Sequence, residues 1–124
     1  MVTLTDTRQA TAHYLVSEAN GMYRSREKVT IASGAGVLKA ATVLGKVTAS
    51  GKYVQFDQDG ADGSQTAAGI LWEGCDATSA DVERVITARD SEVVAEQLIW
   101  PDDIIDAERN AALAQLAALG IIAR

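Results

Sequence analysis

Short runs of β-favouring residues, separated by glycine and small polar residues, fill this chain from Val29 onward. β-Branched and aromatic residues favour strands, whereas glycine, serine and aspartate favour the turns between them. The runs are residues 29–32, 37–38, 42–48, 52–56, 66–72, 82–89 and 92–95. Because none of them is long enough for an ordinary helix, the pattern predicts a mainly β fold.

The spacing of two neighbouring runs predicts a hairpin. Residues 42–48 and 52–56 are separated only by a short connection that ends in Gly51, and such connections typically join antiparallel strands. The next run, residues 66–72, is apolar almost throughout. A strand of that kind is expected to be buried on both faces.

A second hairpin is predicted between residues 82–89 and 92–95. Apolar and polar residues alternate roughly in both runs, and Asp90 and Ser91 separate them. Alternation of this kind is typical of a half-buried strand, and Asp-Ser is a common turn sequence. We therefore expect these two strands to pair with each other.

One segment near the C-terminus has helical rather than strand periodicity, and it predicts a helix over about residues 102–120. Pro101 supplies a helical φ angle, Asp102 and Asp103 complement the helix dipole, and Gly120 is a suitable residue to end the helix. The positions at helical spacing are Ile104, Ile105, Glu108, Ala112, Leu113, Leu116, Ala117 and Leu119. The fold class expected is thus mainly β with a C-terminal α-helix.

Residues 1–28 lack regular periodicity and carry too few apolar side chains to form a core of their own. Their apolar side chains lie in two small clusters, formed by Tyr14, Leu15, Val16, Met22 and Tyr23. We interpret this segment as a flexible N-terminal arm that is ordered only by contact with something else. Residues 29–124 are then the β-rich domain, and we expect them to fold without the arm.

Composition and charge exclude several classes of protein. The chain has 124 residues, 48% of them hydrophobic, which fits one compact domain. Its single cysteine, Cys75, excludes an intrachain disulfide and fits a reducing cytoplasm. The longest apolar runs are too short to span a membrane, and Asp6, Thr7 and Arg8 are unlike the start of a secretory signal. We therefore expect a soluble protein that is not exported.

The net charge is −6, and residues 57–108 carry fourteen acidic side chains against two basic ones. A protein that binds nucleic acid needs a basic surface to replace the counterions of the phosphates. This acidic stretch would repel phosphate, so we expect no contact with DNA or RNA. Its simplest interpretation is a solvated face that keeps the protein soluble.

No template for catalysis or cofactor binding is complete. His13 is the only histidine, and Cys75 at the end of an apolar run is typical of a small buried side chain. Asp57, Asp59 and Asp62 resemble the start of a calcium loop that lacks its glycine and its final glutamate. Glycine-rich segments fail in the same way, since neither 34–36 nor 45–46 completes a phosphate-binding motif. We expect no catalytic residue, no cofactor and no metal site.

Two other functions remain open at this point. Trp72 or Trp100, together with acidic loop residues, could line the pocket of an oligomeric ligand-binding or glycan-binding β-module. An enzyme would require a site built between subunits from aspartate and lysine alone. A concave pocket lined by tryptophan would favour the first of these alternatives.

Three segments give the chain a resemblance to a known family. They are residues 15–21 with 23–27 leading into 29–31, residues 62–63 with 68–71, and the late Leu98-Ile99-Trp100-Pro101 before the helix. In order and spacing these segments resemble the decoration protein D family, the small head decoration proteins of tailed bacteriophages. The resemblance covers about residues 14–124.

The resemblance implies a β-clip-like subunit that assembles as a homotrimer on the outside of the expanded phage head. It implies binding to the major capsid protein at local three-fold positions, where the trimer stabilises the shell against packaged DNA, and it implies no enzymatic activity. The protein would be made in the host cytoplasm and reside on the virion surface. The arm residues named above would bind the capsid, since an unpaired segment can add a strand to a sheet edge. Trp100, Pro101, Ile121 and Ile122 would contribute to the trimer interface.

Overall fold

The computed structural model describes residues 11–18 and 22–124. Within these residues the chain is mainly β with one long helix near the C-terminus, as the sequence predicts. The elements are β1 (Leu15–Glu18), α1 (Met22–Ser25), β2 (Arg26–Ile31), β3 (Gly36–Leu38), β4 (Val43–Lys46), β5 (Tyr53–Gln55), β6 (Ala67–Leu71), β7 (Cys75–Ala77), β8 (Val82–Thr87), β9 (Ser91–Val93), a 3₁₀ turn (Ala95–Gln97), α2 (Asp106–Ala118) and β10 (Ile121–Ala123).

Five strands close into a barrel in the order β2-β5-β4-β6-β8. The predicted hairpin is confirmed, because β4 and β5 pair antiparallel with Leu44 opposite Gln55 and Lys46 opposite Tyr53. β2 and β8 pair antiparallel along their whole lengths. β3 and β7 form a separate antiparallel pair. The barrel thus draws all its strands from a continuous stretch of sequence between β2 and β8.

β4 and β6 pass between two hydrophobic cores, which explains their apolar sequences. Leu44 and Leu71 point into one cluster, while their neighbours Val43 and Ile70 point into the other. All four side chains are fully buried. The prediction that residues 66–72 form a strand buried on both faces is therefore confirmed, because successive side chains of a strand point to opposite sides of the sheet.

The second predicted hairpin is wrong. β8 ends at Thr87 inside the barrel, whereas β9 belongs to a three-stranded sheet in the order β1-β9-β10. At the corner between them Asp90 has a φ of +49°, and the Ala88 amide donates to the Ser25 carbonyl at 2.7 Å. A tight turn and a corner at which the chain changes sheets can both contain the same polar dipeptide. Alternation of apolar and polar residues on either side of it therefore cannot distinguish the two.

In the described part of the chain, packing does not separate residues 1–28 from residues 29–124. The predicted boundary at 28/29 falls inside β2, whose first residue, Arg26, pairs with Thr87 of the barrel. β1 pairs with β9, and Tyr14 is fully buried in the core. Residues 12–18 and 24–28 therefore share strand pairings and core contacts with residues 29–124. Residues 1–10 and 19–21 of the predicted arm lie outside the described residues.

Helix α2 begins four residues later than the sequence predicts. Pro101 to Ile105 form a turn, in which the Ile104 amide donates to the Pro101 carbonyl at 3.2 Å, and Ile105 has an extended backbone. Glu108 accepts a hydrogen bond from the Ile105 amide at 3.1 Å and so caps the first turn. Asp102 and Asp103 consequently lie before the helix, and Asp106 and Glu108 occupy its acidic first turn.

Gly120 ends α2, as predicted, and starts the last strand. Its φ of +85° is one that residues with a Cβ rarely adopt, and an added Cβ would lie 2.6 Å from the Asp90 carboxylate. The Gly120 carbonyl accepts the Ser91 amide at 3.0 Å, which begins the parallel pairing of β10 with β9. One glycine thus couples the helix end to the β8–β9 corner.

Candidate functional site

The two ends of the described chain meet on β9. β1 lies on one side of it, antiparallel, and β10 lies on the other side, parallel, so that Ser17, Glu92 and Ile122 are neighbours across the sheet. These residues face away from the core, because their neighbours along the strands, such as Ile121, are buried. We call this surface, formed by Val16, Ser17, Glu92 and Ile122, the outer face of the terminal sheet.

The outer face carries two of the five exposed large hydrophobic side chains in the described residues. Val16 is 54% exposed at a bulge in β1, and Ile122 is 40% exposed on β10. Glu92 lies between the two edge strands and forms an ion pair with Arg124. Val16 lies in the predicted capsid-binding arm and Ile122 in the predicted trimer interface, but both residues belong to one sheet.

The apolar residues of the predicted arm do not share one environment. Val16 is exposed and Leu15 is half-buried against the core, but the side chain of Tyr14 is fully buried. Tyr14 therefore offers no surface to a partner. Met22 and Tyr23 lie in α1, and their side chains are outside the described part of the structure.

Tyr14 joins the terminal sheet to the barrel. Its hydroxyl lies 2.6 Å from the Thr87 hydroxyl, and both residues are fully buried. Desolvation by burial raises the pKa of Tyr14, more than the hydrogen bond to Thr87 lowers it. The phenol is therefore neutral and serves as an internal hydrogen-bonding group rather than as a reactive one.

An arginine holds β1 and β2 together. Arg26 donates two hydrogen bonds to Glu18, at 2.8 Å and 3.2 Å, and its guanidinium lies 3.7 Å from the centroid of the Trp72 ring. Bidentate pairing and stacking on an aromatic face both use the planar shape of the guanidinium. Glu18, at the end of β1, is thereby fixed against the barrel.

The predicted trimer residues also differ in exposure. Ile121 is fully buried in the core of its own chain, so its side chain offers no surface to a neighbouring subunit. Trp100 is half-buried and packs edge-on against Phe56, with ring centroids 6.0 Å apart. Pro101 is half-buried, and Ile122 faces outward. Three of the four residues thus retain accessible surface.

The other three exposed large apolar side chains of the described residues, Val37, Ile105 and Leu119, are not marked as surface residues by the sequence pattern. Val37, on β3, is the most exposed at 69%, and Ile105, before α2, is 60% exposed. Strict alternation along β3 could have identified Val37, because its neighbour Leu38 is buried. Ile105 was assigned to the apolar face of the helix, and its exposure follows from the later start of α2.

The side chains considered above for catalysis or cation binding, His13, Cys75 and Asp59, interact with other residues of the chain. His13 packs edge-on against Tyr14, with 6.0 Å between ring centroids. Cys75 is buried in the barrel core, as expected, and desolvation raises the pKa of its thiol. Desolvation and the nearby carboxylates of Glu108 and Asp103 raise the pKa of Asp59.

Neither tryptophan forms the pocket that a glycan-binding module would need. The face of Trp72 is covered by the guanidinium of Arg26. Trp100 lines a shallow hollow of about 240 Å³ together with Glu96 and Arg109. Small-molecule pockets usually enclose roughly 300 Å³ or more. The structure therefore does not favour the ligand-binding alternative.

Two other kinds of feature are absent from the described residues. Residues 11–18 and 22–124 contain no cluster of three or more His, Cys, Asp or Glu side chains arranged to hold a metal ion. Over the same ranges, no helix is both long and apolar enough to cross a membrane.

Comparison with known proteins identifies the family. The chain has no match among the curated proteins. The model of the family described as bacteriophage lambda head decoration protein D matches residues 3–121 of the 124. This family consists of structural phage head proteins rather than enzymes. Because the match spans nearly the whole sequence, from before β1 through α2 to the first residue of β10, the chain belongs to the head decoration protein D family of bacteriophages.

Proposed function

We propose that this protein is a trimeric decoration protein on the outer surface of an expanded bacteriophage head. In this role it binds the major capsid protein at local three-fold positions and stabilises the shell against the pressure of packaged DNA. The observation that carries the proposal is the family match over residues 3–121. The role requires no catalytic residue and no cofactor.

The terminal sheet is the surface best suited to the capsid contact. Among the described residues β1 is an edge strand, since it pairs there only with β9 in the order β1-β9-β10. A free strand edge can accept a further strand from a partner, with main-chain hydrogen bonds for affinity and side-chain contacts for specificity. Val16, exposed at the bulge in β1, would supply an apolar contact beside that edge.

We assign the proposed contacts as follows. Leu15, Val16, Met22 and Tyr23 contact the major capsid protein, and Trp100, Pro101 and Ile122 contribute to the contact between subunits. Tyr14 and Ile121 are left out because both are fully buried within one subunit. The acidic middle of the chain suits an outward surface that has no reason to touch DNA.

Two exposed valines allow a matched test of the capsid contact. Val16→Asp places a charge on the outer face of the terminal sheet, and Val37→Asp places the same charge on β3. Each variant and the wild type would be titrated onto expanded and unexpanded heads, and the decorated heads would then be heated. We expect Val16→Asp to lower both occupancy and heat resistance, and Val37→Asp to behave as wild type.

Equal occupancy of all three proteins would remove Val16 from the contact. Failure of the wild type to bind expanded heads at all would refute the decoration role itself. Light scattering of the free protein and reconstruction of decorated heads would test the trimer. Two-fold contacts in both settings would contradict it.

A further inference from the structure

A groove opens on the barrel where β2 separates from the β4–β5 hairpin. The two strands β2 and β5 pair only once, at Ile31 and Tyr53, and they diverge toward the start of β2. The groove has a volume of about 520 Å³ and is open to solvent. It is lined by Glu27, Lys28, Val29, Thr30, Lys46, Ser50, Gly51, Lys52, Tyr53 and Glu83.

The backbone of β2 presents hydrogen-bonding groups to this groove. Peptide groups alternate in direction along a strand, and the Ser25 carbonyl is paired with the amide of Ala88, whereas the Ala32 amide donates to the Tyr53 carbonyl. The amides of Lys28 and Thr30 therefore point away from β8 and toward the groove. Within the described residues, neither amide donates a hydrogen bond to a backbone carbonyl outside the pairings between strands. This stretch of β2 is a free strand edge inside an otherwise closed barrel.

The groove is also basic relative to the rest of the protein. Three lysines line it against two glutamates, whereas the whole chain has a net charge of −6. Lys28 pairs with Glu83 at 2.7 Å, but both side chains are more than half exposed, and such pairs exchange partners at little cost. Lys52 pairs with Asp81 at 2.7 Å, and both of these side chains are also partly exposed. Lys46 is exposed at the end of β4 and, within residues 11–18 and 22–124, forms no ion pair.

We propose that this groove binds an extended acidic segment of another protein, which adds a strand to the free edge of β2. Main-chain groups of that segment would pair with the amides of Lys28 and Thr30. Side chains on one face of a strand recur about every 6.6–6.8 Å, so carboxylates at alternate positions would lie on one face of the added segment, where they would pair with lysines of the groove. This site lies on the barrel and is independent of the proposed capsid contact on the terminal sheet.

The test uses the full chain and a short synthetic peptide that alternates Glu and Thr. Its counterpart alternates Lys and Thr. We expect the acidic peptide to bind and the basic one not to bind, and we expect Lys46→Glu to weaken binding about tenfold. Lys39→Glu is the matched control, because Lys39 is also exposed but lies outside the groove; its affinity should equal that of the wild type.

Hydrogen–deuterium exchange separates strand addition from simple charge attraction. Bound acidic peptide should slow exchange at the Lys28 and Thr30 amides. Unchanged exchange at both amides, or equal weakening by Lys46→Glu and Lys39→Glu, would overturn the proposal. So would inorganic tripolyphosphate that competes for the groove as well as the peptide does, since it has no backbone to pair.

Discussion

The barrel and the terminal sheet are built in different ways. All five barrel strands come from residues 26–87, and neighbours in the barrel include a hairpin of adjacent strands. The terminal sheet instead brings together β1 and β10, from opposite ends of the described chain, on the three-residue strand β9. The barrel is therefore closed by its own first and last strands, β2 and β8, with β4 and β5 as its only consecutive pair, whereas the terminal sheet joins segments from near both ends of the described chain.

The two regions are nevertheless joined through shared elements. β6 contributes Ile70 to the core under the terminal sheet and Leu71 to the core of the barrel. The buried hydrogen bond between Tyr14 and Thr87 connects the start of β1 to the end of β8. Gln115 of α2 accepts the Ala67 amide at 2.8 Å, which fixes the helix to the barrel. We expect the whole structure to unfold as one unit.

The largest effect is expected from removal of residues 1–28. A chain that begins at Val29 loses β1, the buried Tyr14 and half of β2, so we expect it to be unfolded. A chain that ends at Gly120 loses β10 and the buried Ile121, and it should remain folded with stability lower by about 2–5 kcal/mol. Circular dichroism and urea unfolding measure both. Cooperative unfolding of the chain that begins at Val29 would restore a boundary at residue 28.

The next largest effect is expected from replacing one buried leucine in each hydrophobic core. Leu44 and Leu116 are both fully buried, the first in the barrel and the second under the terminal sheet. Replacement of either by alanine should lower the free energy of unfolding by about 2–5 kcal/mol. Both variants should keep a single transition in urea. A second transition in Leu116→Ala alone would show that the terminal sheet unfolds separately.

A smaller effect is expected at the hydrogen bond that links the two regions. Tyr14→Phe removes one partner and should lower stability by about 1–3 kcal/mol, because the buried Thr87 hydroxyl loses its partner. Adding Thr87→Val should recover part of this loss, since no polar group is then left unpaired. Thermal unfolding of the two single variants and the double variant gives the coupling. Strictly additive losses would mean that the bond does not join the regions energetically.

The smallest effect concerns acid stability on the barrel side. Hydrogen bonds from the hydroxyl and the amide of Ser64 hold the pKa of Asp62 below its ordinary value of 3.8. Its contribution to stability is therefore present above that pH and is lost as the pH falls through the lowered pKa. Asp62→Asn keeps an acceptor for the hydrogen bonds from Ser64 but cannot titrate. Its free energy of unfolding should therefore decline less than that of the wild type as the pH falls from about 5 to about 2.

Asp59 provides a control, because its pKa is raised whereas that of Asp62 is lowered. Desolvation, followed by the charges of Glu108, Asp103 and Asp57, raises its pKa. Its charged form opposes folding, so Asp59→Asn should leave stability at neutral pH unchanged or slightly higher. Urea unfolding at several pH values measures both variants. Identical acid dependence in Asp62→Asn and wild type would show that the Ser64 contact does not affect folding.

Much of the barrel was predictable because its signals are local. The β4–β5 hairpin follows from two β-favouring runs around Gly51, and the doubly buried β6 follows from an unbroken apolar run. The terminal sheet was not predictable in this way. β9 pairs with strands from both chain ends, and β1 is only four residues long, so no local periodicity marks either pairing.

For the candidate site, the sequence by itself determined the family, the mainly β class, the helix and its end at Gly120, because these depend on residue type and spacing. Only the tertiary structure decided that Tyr14 and Ile121 are buried while Val16 and Ile122 share one outer face. The physical reason is that burial depends on which distant strand covers a side chain. The polar segment around Tyr14 predicts that this side chain contacts a partner, whereas the structure buries its ring in the core of its own chain.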